Sequence, residues 1–146
     1  MKPIHILLVE DNEGDILLTR EAFEEAKLPN KLSVVRDGKE ATDFLSGKGD
    51  FEKAELPDLL LLDVNLPKKN GHEVLQFLKV DDRIKHIPVI MFTTSSSEND
   101  INLSYQNHAN SYITKPVDVN EFLSVIKKIE QYWLSIVNLP NIKPAI

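Results

Sequence analysis

The chain of 146 residues contains no cysteine, which removes disulfides, thiolate nucleophiles and thiolate metal ligands together. No apolar stretch is long enough to span a bilayer, and the amino terminus has no basic segment leading into an apolar signal region. Basic clusters are missing too. The 17 Lys and Arg stand against 23 Asp and Glu, a formal net charge of -6, which argues against sequence-independent binding to nucleic acid or to an acidic membrane. Four histidines are present, His5, His72, His86 and His108, but none has a metal-pair spacing or a nucleophile beside it, so all four read as surface or structural. The length suits one core and leaves no room for a separate output domain. The expectation is a single cytoplasmic domain over 1–139, a flexible tail over 140–146, and recognition by other proteins, with neither nucleic acid nor membrane as a partner.

What is present is a fivefold alternation of short apolar runs with helical patterns, the signature of βα units on a parallel sheet. The runs predict strands near 4–9, 32–36, 58–63, 88–93 and 111–114, and helices near 13–26, 38–46, 71–79, 98–107 and 118–137. The first helix shows the logic. Ile16, Thr19, Phe23 and Ala26 recur at helical spacing, Asn12 can cap the start, and Pro29 stops any continuation. Ser46 to Pro57 carries glycine, lysine and glutamate with few core residues and reads as a surface loop.

Asp63 ends the most apolar run, Leu59-Leu60-Leu61-Leu62, and a carboxylate cannot stay inside such a strand unpartnered, so it belongs at the strand's carboxyl end, facing a site. The first run ends in Glu10-Asp11 and the last in Lys115-Pro116. In a parallel sheet these ends share one edge, where open α/β folds place their ligands. Glu10, Asp11, Asp63 and the carbonyl of Asn65 are hard oxygen ligands of the kind that suits Mg2+. A divalent cation and Lys115 together would keep Asp63 ionised as a nucleophile. Thr93 closes the fourth run, so its hydroxyl lies on the same edge and could donate to a phosphoryl oxygen. The Lys115-Pro116 linkage could be cis, which would re-aim the lysine. Gly71, before a helix, suits a positive φ.

Val9-Glu10-Asp11, Leu62-Asp63-Val64-Asn65-Leu66-Pro67, Gly71, Thr93-Thr94, Tyr112 and Lys115-Pro116 together resemble the receiver domains of bacterial two-component response regulators. The resemblance covers about 130 residues. It implies a flavodoxin-like, doubly wound five-stranded parallel sheet of order 2-1-3-4-5 with five helices, a strand order known from the chemotaxis member of that family. It also implies that Asp63 receives a phosphoryl group from a histidine kinase, that Asp11 and the Asn65 carbonyl hold magnesium with Glu10 assisting through water, and that Lys115 balances charge. Movement of Thr93 would then make space for Tyr112 to turn, changing the last two strands and the helix between them. Length, insertion and tail most resemble the stand-alone regulators that partner phytochrome-type kinases.

Two rival readings bear on the same residues. A phosphatase of the haloacid dehalogenase type also uses a strand-end aspartate, but needs an acid two residues on, where this chain has Asn65. A receiver-like adaptor that works without phosphorylation differs only in occupancy. The last helix carries Val119, Phe122, Leu123, Ile126, Ile129, Trp133, Ile136 and Val137 over about five turns. It is longer than a small sheet needs, so Tyr132 and Trp133 are expected either to complete the core or to form a homodimer face.

Overall fold

The computed structural model describes residues 2–142. Five strands run parallel: β1 (Ile4–Val9), β2 (Asn30–Val35), β3 (Leu59–Leu62), β4 (Val89–Thr93) and β5 (Ser111–Thr114). They lie in the order β2-β1-β3-β4-β5, as the flavodoxin-like reading requires. Helices α1 (Glu13–Glu24), α2 (Gly38–Ser46), α3 (Gly71–Lys79), α4 (Glu98–Gln106) and α5 (Val119–Glu130) make the connections and the final turn of the chain. Each of the five begins at a polar cap: Asn12, Asp37, Asn70, Ser97 and Asp118 all accept an amide hydrogen from three residues on.

Alternation along the strands sorts the core into two layers. Leu7, Val9, Leu60, Leu62, Val89 and Met91 face α2 and α3, packing on Ala41, Phe44, Val74, Leu75 and Leu78. Ile6, Leu8, Leu59, Leu61, Ile90 and Phe92 face the other way, onto Ile16, Ala22 and Phe23 of α1 and Phe122, Ile126 and Ile129 of α5. The four leucines of β3 are therefore apolar throughout because both faces of the central strand are covered.

Three expectations change. Ser46 to Pro57 is not a bare loop: Gly47 ends α2 at φ 67°, a 3-10 turn follows at Gly49–Phe51, and Phe51, Ala54 and Leu56 fold onto the core. Phe51 rests on Phe44 with ring centroids 5.3 Å apart. Of the tail, Pro140, Asn141 and Ile142 line a cavity with His5, Asp58 and His86 at the amino-terminal edge of the sheet. Residues 143–146 lie outside the described part. Gly71 does not have a positive φ; its Cβ would come within 2.2 Å of the Asp63 carbonyl oxygen, so what excludes a side chain is the close approach of two backbones. Finally, the last helix changes its hydrogen bonding at Gln131, where a π-helical segment, Gln131–Ile136, takes over. The amide of Val137 donates to the carbonyl of Tyr132, five residues back, at 2.8 Å. The wider turn puts Leu134, five residues beyond Ile129, into the core and leaves Trp133 only half-buried.

That junction is also electrostatically awkward. Glu130 ends α5 almost buried, and its Oε1 has no hydrogen-bond partner among the described residues. Burial pushes its carboxyl from 4.5 up to about 7, with Lys127 pulling it down and Glu25 pushing it further up. A carboxyl raised on folding binds its proton more tightly in the native state, so stability falls as pH climbs from 4.5 to about 7. Glu130→Gln should therefore be more stable than the parent at about pH 8 and lose that advantage at about pH 4.5. Urea midpoints at the two pH values check this; a difference that is independent of pH would contradict it.

Candidate functional site: an acidic pocket closed by a buried lysine

β1, β3 and β5 end together, and each terminal side chain continues the alternation of its strand. Glu10 follows the parity of Ile6 and Leu8, Asp63 that of Leu59 and Leu61, and Lys115 that of Ile113, so all three emerge on the α1 and α5 side. Backbone bonds fix the ends. The amide of Glu10 donates to Val35, that of Asp63 to Val9 and that of Lys115 to Thr93, at 3.0, 3.1 and 2.7 Å. Thr93 takes the opposite parity, with Met91, and sits with Tyr112 on the α3 side.

Lys115 closes the pocket. Its ammonium, almost wholly buried, donates to Glu10 Oε2, to Asp63 Oδ2 at 3.0 Å and to Asp15 Oδ2 at 2.9 Å. Burial works against that charge, but the bond to Glu10 and the fields of Asp63 and Glu10 outweigh it and hold the ammonium above its ordinary value. Burial likewise pushes the Glu10 carboxyl up; Lys115 pulls it back and the neighbouring Asp63 adds to the rise. No peptide bond among the described residues is cis, the Lys115-Pro116 linkage included.

Carboxylate oxygens of Glu10, Asp11 and Asp63 lie within 4.8 Å of one another, with Asp11 exposed and the other two buried. This oxygen-only, one-sided set fits a hard divalent cation approached from solvent. Glu10 has a further duty, accepting the amide of Asn12 at 3.0 Å through Oε1. Asn65 stands at the mouth on the descending loop, its side chain exposed and its amide donating to Asp63 Oδ1 at 3.3 Å. Thr93 is fully buried, and its hydroxyl accepts the amide of Ser95 at 3.3 Å. The Tyr112 hydroxyl donates to the Ser95 carbonyl at 2.8 Å, so Thr93 and Tyr112 both bond to the backbone of one residue.

Sequence reasoning placed Glu10, Asp11, Asp63, Asn65, Thr93, Tyr112 and Lys115 at this edge, and the structure brings all of them to it. Tyr132 and Trp133 lie elsewhere, beyond the end of α5. Asp15 was missed. The signal was available: Asp15 is four residues before the buried Thr19, which puts it on the inward stripe of α1 at the end nearest the strand termini. Also missed was the clasp formed by Asp100, whose carboxylate takes His72 Nε2 at 2.9 Å and the Ser95 hydroxyl at 2.6 Å, joining α3 and α4 to the segment after β4.

A five-stranded sheet in this order, with an acidic pocket and a buried lysine at its carboxyl edge, is the architecture of a receiver. The chain belongs to the response regulator receiver domain family, whose match extends over residues 6–127. Among individual proteins it is similar to the response regulator Rcp1 of Synechocystis sp., with 41% identity over 138 residues, 94% of each chain. A crystal structure of Rcp1 in its Mn2+-bound form superposes with a TM-score of 0.92, covering 94% of this chain and 99% of that one. The phosphorylated cyanobacterial phytochrome response regulator RcpA is 45% identical with a TM-score of 0.93, over 96% of this chain and all of the other. The expected likeness to phytochrome response regulators is thus found. Comparable identity, 42% over 135 residues, 90% of this chain and 84% of the other, links it to the probable methanogenesis regulatory protein FilR2 of Methanothrix harundinacea.

The geometry gives a rank order for cation binding. Asp11→Ala, which removes the exposed carboxylate, should weaken divalent binding by about tenfold, while Glu10→Gln, which keeps an acceptor for Asn12, should weaken it less. Titration calorimetry with magnesium reads both; equal, unchanged affinities would remove the proposed ligand set.

Proposed function

We propose that this protein is a phosphoacceptor signalling switch in which Asp63 takes a phosphoryl group from a histidine kinase. The observation that carries the reading is the position of Asp63, buried at the end of β3 with the Lys115 ammonium 3.0 Å from one oxygen and two further carboxylates within reach of a shared cation. Transfer from a phosphohistidine breaks a P–N bond as a P–O bond forms at Asp63; the imidazole keeps the electron pair and takes up a proton. Glu10, Asp11, Asp63 and the Asn65 carbonyl are the groups that would hold magnesium, which would supply the positive charge that lets an anionic phosphoryl group approach carboxylates. Lys115 holds an ammonium against the attacking oxygen of Asp63 and the oxygens of the arriving phosphoryl group, and Thr93 offers a hydroxyl one strand away. The chain catalyses at most its own phosphorylation and dephosphorylation. Asn65 cannot act as the general acid that turnover of outside esters would need.

The output follows the Ser95 contact. If the Thr93 hydroxyl turns to a phosphoryl oxygen it releases the Ser95 amide, and Tyr112, tied to the carbonyl of the same residue, follows. Likeness to RcpA supports a phytochrome-type kinase as donor, and the cytoplasm as the compartment is part of the same reading, consistent with a receiver domain. No helix among the described residues is long and apolar enough to cross a membrane. Mass spectrometry after incubation with acetyl phosphate and magnesium should find one added phosphoryl group in the parent and none in Asp63→Asn. Thr93→Ala should still be labelled, but without the change in Tyr112 resonances that labelling gives the parent. Full labelling of Asp63→Asn would overturn the assignment.

The same reading includes a homodimer built on the face beyond β5. Tyr132 is 54% exposed and stacks edge-on against Trp133, with centroids 5.6 Å apart, beside a groove that also includes Ile113 and Val125. Trp133 itself packs on the core, so a charge there would cost stability, and Tyr132 is the residue to test. Tyr132→Glu should weaken dimers of the phosphorylated protein by about tenfold or more with folding intact, as read by sedimentation. A phosphorylated parent that sediments as a strict monomer at high micromolar concentration would leave a different protein as the partner.

A further inference from the structure

Lys115 has three N–H donors, and three carboxylates occupy them. Two belong to the strand ends. The third, Asp15, comes from α1 and is the one the phosphoacceptor reading does not use. Its placement follows from how the start of that helix is capped. Asn12 accepts the amide of Asp15 at 2.9 Å, which makes Asp15 the third helical residue, whose side chain ordinarily turns back to the amide of the cap. Here that amide is already taken by Glu10 Oε1, at 3.0 Å. Relieved of the cap, the Asp15 carboxylate turns the other way, across the pocket, and takes Lys115. The helix is anchored beneath it by the Thr19 hydroxyl, which donates to the Asp15 carbonyl at 2.8 Å, and by Ile16 in the core.

The consequence is a charge placed where it opposes phosphorylation and favours the cation. Glu10, Asp11, Asp15 and Asp63 offer four carboxyl groups to one ammonium. An arriving phosphoryl group adds negative charge and calls on the lysine that Asp15 is also using, whereas a divalent cation gains from each carboxylate near it. We propose that Asp15 is a positioning residue that acts through Lys115 as an electrostatic brake: it draws on the ammonium's charge, strengthens binding of the cation, and slows formation of the aspartyl phosphate. The inference rests on Asp63 being the phosphoacceptor.

Asp15→Asn tests it, because the amide keeps the shape and a hydrogen-bond acceptor while removing the charge. Calorimetry should show weaker magnesium binding, by about threefold to tenfold, as expected for one charge lost at a partly screened site. At saturating magnesium, labelling by acetyl phosphate should become faster by a similar factor. In that reaction the acyl phosphate's P–O bond breaks as the bond to Asp63 forms, and acetate leaves with the electron pair, so no proton moves. Opposite shifts in the two measurements are the signature of charge; a carboxylate needed only to hold the pocket in shape would, when lost, lower both affinity and rate. Any pattern other than weaker binding with faster labelling overturns the inference. Asp63→Asn run beside it separates the two readings. A parent labelled at Asp63 with a different Asp15→Asn pattern removes the brake alone, while a parent that takes no label removes the phosphoacceptor reading and the brake with it.

Discussion

The ammonium of Lys115, set among Glu10, Asp15 and Asp63, is the interaction on which the rest of the site depends. Carboxylates at the ends of two adjacent buried strands would repel each other and draw water into the sheet, and a buried lysine alone would lose its proton. Together they are tolerated because each charge answers another. The lysine also ties three parts of the chain: the end of β1, the end of β3 and the first turn of α1 are held to the end of β5 through one nitrogen. Removing the lysine would leave buried carboxylates with no counter-charge, a loss of the kind that costs about 3–5 kcal/mol inside a protein.

The two layers divide the labour. Parity along the strands sends Glu10, Asp63 and Lys115 to the α1 and α5 side, and Thr93 and Tyr112 to the α3 side. Under the proposed function, acceptor chemistry and its readout would therefore stand on opposite faces of one sheet edge, linked where the amide of Lys115 donates to the Thr93 carbonyl. Ser95 gathers the readout face, meeting Thr93 through its amide, Tyr112 through its carbonyl and Asp100 through its hydroxyl. Asp100 carries the contact on to His72 at the start of α3.

The fold was legible because its signals are local and periodic. The apolar runs of β1 and β3 and the capping asparagine before α1 each describe their own neighbourhood. The pocket was legible for a related reason: residues at the carboxyl ends of parallel strands are brought together by topology alone. What escaped depends on competition between partners. Asp15 was free for Lys115 only because Glu10 had taken the amide of Asn12, a fact that requires both side chains to be placed. Gly71 looked like a turn residue, yet its reason is the approach of the Asp63 carbonyl, which no local pattern records. The end of α5 read as one continuous apolar helix, while the structure drops into π geometry after the nearly buried Glu130 and re-phases the residues that follow.

The strand-end amides of Glu10, Asp63 and Lys115 have a mechanical consequence. Each is the last rung of a ladder, so each of these side chains hangs from backbone bonded to its neighbouring strand. Paired strands open less readily than exposed connections, so a push on the pocket is taken up first in the connecting segments. Under the proposed function the sheet would work as an anvil and the loops as the spring, so that a small chemical change at Asp63 would become motion at a surface that another molecule can touch.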